Sequence, residues 1–325
     1  MNKKRHYIWL ADYSDKTHPG GAQLTNRRII DKGLEMGLDI DEVYLKDYSE
    51  AFNFNLKGMD PIDPKHEEIE NIFIINNYVR WYMAQPKIFD KLIERFKFVR
   101  FVHDYDFVYN GKIPEEVIKK VFEKADISFF LSPIHLEQTK LADIKIKNEY
   151  IIPSPIDVDA FSKAGFYSKH REKNSVIYIG EIATHKGINN IINYALMNPQ
   201  MRLDICGWMA DPFLVKSLPR NVRILDRITH DKMPEFLAKY EYSIHMPIWF
   251  EPFGRSVAEA FFAGCKLITN ERVGFMSYFK TLSDIPMMVK MIKESPTVFW
   301  LKIEDHFKRI DDTSGLNNVQ PGPIE

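Results

Sequence analysis

Two rounds of one alternation, short β-branched and aromatic runs separated by longer segments of helical period, constrain this chain more than any other feature. Parallel neighbours need a crossover between them, usually a helix, so the alternation implies parallel sheets covered by helices on both faces. In the first half the strand runs are HYIWLAD (6–12), DEVYL (41–45), NIFIIN (71–76), FVRFVHD (98–104), DISFFLS (126–132) and EYIIPS (149–154). The clearest helix is AQLTNRRIIDKGLEMG (22–37), where Leu24, Ile29, Ile30, Leu34 and Leu38 make one apolar stripe. The second half restarts with SVIYIG (175–180), MRLDICG (201–207), NVRILD (221–226), YSIHMP (242–247) and CKLITN (265–270). A length of 325 residues exceeds one ordinary core, so the reading is two α/β domains, 1–160 and 161–295, joined through the proline- and charge-rich 153–174. A helix is expected at 296–310, and residues 311–325 read as a disordered tail.

Charge excludes one class of partner. The net charge is −1 with no basic concentration in either half, so no footprint for nucleic acid is present. Cys206 and Cys265 fit no metal or redox spacing and read as small packing residues in a reducing, cytoplasmic setting. The apolar run before Asp12 spans five residues, too short for a signal peptide, and no window approaches the ~18 apolar residues of a membrane span. Peripheral membrane contact stays open, with no electrostatic anchor in the acidic first half.

Chemistry concentrates in HMPIWFEPFGRSVAEAFFAGCKLITN (245–270). Pro252 and Gly254 enforce a turn after a strand, and a helix runs from about Arg255 to a stop at Gly264. The turn through Phe253, Gly254, Arg255, Ser256 and Val257 then presents backbone N–H groups at a helix start, where the macrodipole favours a diphosphate. Glu251 precedes this helix and Glu259 lies inside it; carboxylates accept paired hydroxyl donors, so one suits a sugar and the other a ribose. Lys186, in the strand–loop–helix segment YIGEIATHKGINNIINYA (178–195), offers a point charge to phosphate. Gly20 and Gly21 open the first long helix and permit close backbone approach. His103 and Asp104 end the fourth strand, and Asn76, Asn77 and Arg80 follow the third, where ligands of open α/β sheets bind.

These residues resemble the retaining family 4 glycosyltransferases of GT-B fold, marked by E-x7-E within a stretch like EPFGxxxxEAxxxG, which residues 251–264 match. The resemblance implies two Rossmann-like domains facing a central cleft, with the donor on the C-terminal domain, the acceptor on the N-terminal one, and a C-terminal helix crossing back. It implies that Glu251 contacts donor-sugar hydroxyls, Glu259 the ribose, and His103 the transferred sugar, and that Gly20, Gly21 and Lys186 serve the diphosphate. Arg227, in the base-side loop, matches by position only. The family carries an arginine where this chain has Glu181, so Arg255 or Arg227 is expected to compensate. The implied activity is transfer of a sugar from a UDP- or GDP-type nucleotide-sugar donor to a glycan, lipid-linked or small-molecule acceptor with retention, and without metal or cofactor. Two alternatives stand beside it: a non-catalytic sugar-nucleotide-binding or partner subunit, and a GT-B-like nucleotide-sugar epimerase.

Overall fold

The computed structural model describes residues 4–17, 20–45, 69–76, 78–105, 113–168, 171–210, 212–215 and 217–316. The chain divides into two compact units: Met1–Phe130 with Ala142–Ile152 and Glu294–Glu325, and Leu131–Leu141 with Pro153–Lys293. This division departs from a single boundary at 160. The segment holding α5 (Pro133–Leu141) is tied to the second unit by long-range bonds, from the Ser132 hydroxyl to the Pro252 carbonyl at 2.6 Å and from the Tyr278 hydroxyl to the Leu131 carbonyl at 2.7 Å.

The first unit carries a six-stranded sheet built from β1 (Lys4–Ala11), β2 (Asp39–Tyr44), β3 (Ile69–Ile75), β4 (Lys97–Phe101), β5 (Ile127–Phe130) and β6 (Glu149–Ile151), in the order β2-β1-β3-β4-β5-β6. Every pairing is parallel. Its crossovers are α1 (Gly21–Glu35), α2 (Tyr78–Ala84), α3 (Pro86–Arg95) and α4 (Glu115–Lys124). Helices on both faces leave no solvated side, which is why ISFF in β5 is buried throughout.

The second unit repeats the design with β7 (Glu172–Ile179), β8 (Arg202–Cys206), β9 (Val222–Leu225), β10 (Tyr240–His245) and β11 (Lys266–Thr269), all parallel, in the order β11-β10-β7-β8-β9. Its helices are α6 (Val158–Tyr167), α7 (Ile188–Met197), α8 (Met233–Leu237) and α9 (Arg255–Phe262). Each sequence run read as a strand coincides with one of these eleven strands. Cys206 and Cys265 are both free and buried.

The last helix differs from its expected span. α10 runs Ile285–Leu316 with Pro296 inside it, so residues 311–316 are helical, while the rest of the expected tail lies outside the described residues. Pro296 suits a first-turn position, which is how the sequence reads, but an apolar stripe of Met288, Ile292, Phe299, Ile303 and Phe307, all fully buried, continues through it. Burial of that stripe outweighs the cost of one interior proline, about 3 kcal/mol.

The part of α10 in the first unit is anchored by Trp300. Its indole N–H donates to the Ile29 carbonyl at 2.7 Å and its ring meets Tyr7 edge-on at 5.1 Å. Around it Arg5 bonds Glu304 at 2.9 Å and Asp311 at 2.6 Å. Trp300→Ala deletes the largest ring of this contact and removes the indole donor from the Ile29 carbonyl, so a loss of about 3–5 kcal/mol is expected, read as a lowered urea midpoint at unchanged slope.

Candidate functional site

In the second sheet β7 is central: the chain leaves it for β8 on one side, and β10 pairs with it on the other. The loops following β7 and β10 therefore diverge, and the crevice beyond the strand ends at such a switch point is where open α/β sheets bind ligands. The loop after β7 is drawn tight against the loop after β10. Gly187 adopts the left-handed region at φ +78°, and a Cβ there would lie 1.8 Å from the Met246 carbonyl oxygen. That approach sets the preceding Lys186 against Glu251, Nζ to Oε1 at 2.6 Å, with the ammonium 5.3 Å from the Trp249 ring centroid.

Glu251 is 7% exposed. Its backbone is pinned by its N–H on the Arg272 carbonyl at 2.8 Å and its carbonyl on the Gly274 N–H at 2.9 Å. His245, ending β10, places Nε2 3.5 Å from the same Oε1, and its ring stacks on Tyr178 of β7. Burial pushes the Glu251 carboxyl up, but the Lys186 ammonium and His245 outweigh it and hold the group well below the usual carboxylate range.

Glu259, on α9, is 4% exposed and accepts from Arg255 Nε at 2.8 Å and pairs with His230 Nε2 at 3.0 Å. Burial again raises the carboxyl, and Arg255 and His230 more than reverse it. Gly254 caps α9 in the left-handed region at φ +82°. Gly254, Arg255 and Ser256 are half-buried at the helix start. Val257 differs from the expected donor role: its N–H turns back on the Gly254 carbonyl at 3.0 Å and its side chain is buried. Phe253 differs likewise. Its ring is 3% exposed, packed on Phe275 and Tyr278, because the turn carries this side chain into an aromatic core.

Glu181 finds its basic partner within its own loop. Arg255 is held by Glu259 and by the Pro155 carbonyl at 2.9 Å, and Arg227 is exposed in the loop after β9. Glu181 instead places Oε2 3.4 Å from His185 Nε2, one helical turn along its own loop. His185 lies on Trp249, ring centroids 4.0 Å apart.

In the first unit the sheet's order also reverses, between β1 and β3, and the remaining singled-out residues gather near those strand ends. His103 is 9% exposed, with Nε2 2.7 Å from Asn26 Oδ1 on α1, close to the helix start formed by Gly20 and Gly21. Gly20 has an ordinary extended backbone at φ −82°, so its contribution is openness rather than an unusual turn. Asp104 is half-buried. Asn76 is buried and binds the Leu10 carbonyl through its backbone N–H at 3.1 Å, a structural tie rather than an open acceptor contact. Arg80 lies 3.7 Å from Asp12 and bonds the Tyr13 hydroxyl. Asn77 lies outside the described residues. Among the described residues no group of three or more His, Cys, Asp or Glu is placed to hold a metal ion, and no helix is long and apolar enough to cross a membrane.

Residues 159–284 match the family model described as glycosyl transferases group 1. Among solved structures, sucrose-phosphate synthase from Thermosynechococcus elongatus is similar at TM-score 0.63 and 16% identity, covering 90% of each chain. Anabaena HepE, solved in complex with UDP and glucose, is similar at TM-score 0.58 and 14% identity, covering 96% of this chain and 99% of that one. An α-glucosyltransferase solved with UDP and DNA is similar at TM-score 0.55 and 15% identity, covering 91% of each. The fold is GT-B. No curated protein matches the sequence.

Four site residues of this GT-B chain escape the sequence reading: His185, His230, His245 and Asn26. His245 carried a usable signal, since it ends a strand as His103 nearly does. His185 is the sequence neighbour of Lys186 and lies four residues from Glu181, whereas His230 and Asn26 are brought in only by tertiary distance.

Proposed function

We propose that the chain is a glycosyltransferase that takes a sugar from a nucleotide-sugar donor held by the second unit and passes it, with retention, to a hydroxyl-bearing acceptor served by the first. One observation carries this: two buried carboxylates flank one helix start at the sheet's switch point, each held ionised by its own cation. Such carboxylates accept hydrogen bonds from vicinal hydroxyls without being neutralised by burial. In this reading Glu251 holds the sugar, Glu259 the ribose, and Lys186 with the α9 N-terminus the diphosphate. The bond from the anomeric carbon to phosphate oxygen breaks, the acceptor oxygen bonds the same carbon, and its proton passes to the departing phosphate. Helix dipole and ammonium stabilise the leaving charge without a metal. The group 1 family match and the GT-B fold support this reading.

Thermal unfolding with UDP-, GDP- and ADP-glucose tests the donor assignment. At 100 times its dissociation constant a donor adds about 2.7 kcal/mol and raises the midpoint accordingly; no shift with any of them contradicts it. A second reading, a subunit that binds the nucleotide sugar without turnover, is favoured by Glu181 in the phosphate loop. Release of nucleoside diphosphate on incubation with donor, and an unchanged anomeric configuration of the product by NMR, exclude it.

A further inference from the structure

Charge at the diphosphate end of this site does not balance once a diphosphate enters, and the imbalance has a built-in remedy. Glu181 and Glu251 contribute two carboxylates and Lys186 one ammonium, which already bonds Glu251 at 2.6 Å. Of the nearby cations Arg255 is neutralised by Glu259, whereas Arg272, bound to the Ile248 carbonyl and lying over the Phe250 ring, keeps its charge and offsets one carboxylate. A doubly ionised diphosphate entering here adds two negative charges to a loop with no cation in excess and loses its own water, an arrangement that a further positive charge stabilises.

The geometry points to His185 as the group that supplies it: donor binding takes up one proton on His185, so that the His185–Glu181 pair becomes a neutral ion pair where the loop otherwise presents a net carboxylate charge. This rests on the donor reading above and adds the means by which the loop accepts a diphosphate. Several features make the imidazole suited to it. Its Nε2 is 3.4 Å from Glu181 Oε2, its ring lies on Trp249, and its carbonyl is fixed by the Ile248 N–H at 3.1 Å, so it is held at the loop's open edge with its side chain 37% exposed. The charged and titratable groups around it are Glu181 and Lys186 on its own loop and Glu251 on the loop before α9. Behind these stand His245 of β10, which touches Glu251, and Tyr178 of β7, whose hydroxyl binds the Glu181 carbonyl. Burial and the Lys186 ammonium push His185 below the ordinary histidine value, against the pull of Glu181 and Glu251. Burial and the ammonium thus disfavour the charged ring, and an arriving diphosphate, which carries more negative charge than either carboxylate, reverses the balance.

The sign follows from linkage. A group whose pKa rises on binding strengthens affinity as pH falls through the bound-state value, by at most about tenfold per pH unit, and the gain levels off below the free-state value. The test is isothermal titration of the full chain with whichever of UDP-, GDP- or ADP-glucose gives the largest thermal shift; both phosphates of these probes stay ionised from about pH 6 to about pH 9. Titrations in two buffers of different ionisation enthalpy give the number of protons taken up. The expected result is uptake approaching one proton per donor near neutral pH and affinity falling about tenfold or more from pH 6 to pH 9. His185→Gln should abolish most of the uptake and flatten the profile. Glu181→Gln should tighten binding most at high pH and shrink the slope. Binding with no uptake, or uptake unchanged in His185→Gln, overturns this inference and leaves the donor reading intact. Absence of binding by all three probes overturns both.

Discussion

Lys186→Ala is expected to lower stability by about 2–3 kcal/mol, somewhat less than the ~3–5 kcal/mol of a wholly enclosed pair, because the lysine retains some solvent contact. The reason lies in what stays behind: Glu251 remains 7% exposed with its backbone still pinned, so its carboxylate is left in low dielectric with His245 as its remaining basic neighbour. The pH dependence separates this cause from lost packing over Trp249. In the wild type the Glu251 pKa is depressed, so its contribution is complete above the ordinary carboxylate range and is lost as pH falls through that range toward the depressed value. In the variant, burial without the ammonium raises that pKa, so protonation relieves the strain and the gap to wild type narrows as pH falls. Urea midpoints at about pH 7 and about pH 4 check this. A gap that stays constant with pH assigns the loss to packing. The pair Lys186→Met with Glu251→Leu is expected to recover most of the stability and none of the donor binding, since an apolar pair of similar volume removes the buried charge altogether.

Glu259→Ala should cost the nucleotide about tenfold to a hundredfold in affinity, the range of one to two hydrogen bonds to a charged acceptor. Arg255 and His230, which both converge on this carboxylate, lose their shared partner, so stability falls as well. Glu251→Ala is expected to leave the affinity for the nucleoside diphosphate alone within a few-fold and to lower turnover instead, because the sugar it serves is absent from that ligand. Calorimetry with the nucleoside diphosphate on both variants checks the division. Equal losses in the two contradict it.

The fold was legible because parallel strands buried on both faces must be written as near-continuous apolar runs, as ISFF in β5 and the buried end of β7 are. The same clarity did not extend to membership of a unit. Nothing local in 131–141 says that α5 belongs with the second unit; the Ser132 and Tyr278 bonds that tie it there span 120 and 147 residues. Pro296 misdirects for a physical reason, since proline is favourable at a helix start and tolerable in an interior when the apolar stripe on both sides is buried. In the site, the spacing of Glu251 and Glu259 fixes their neighbourhood on α9, whereas their partners come from other loops: Lys186 is 65 residues away from Glu251, and His230 is 29 from Glu259. Phe253 shows the converse error. Adjacent residues in one turn point opposite ways, so membership in the EPFG stretch said nothing about whether the ring meets ligand or core.

The central claim is that a nucleotide-sugar donor sits on the loops following β7 and β10. Hydrogen–deuterium exchange of the full chain, with and without a saturating nucleotide sugar chosen by thermal shift, locates it directly. The account predicts protection confined mainly to residues 180–190, 226–232 and 250–260, the segments that carry Glu181 through Lys186, His230, and Glu251 through Glu259. Saturable binding with protection elsewhere, and none in the loops after β7 and β10, would contradict it.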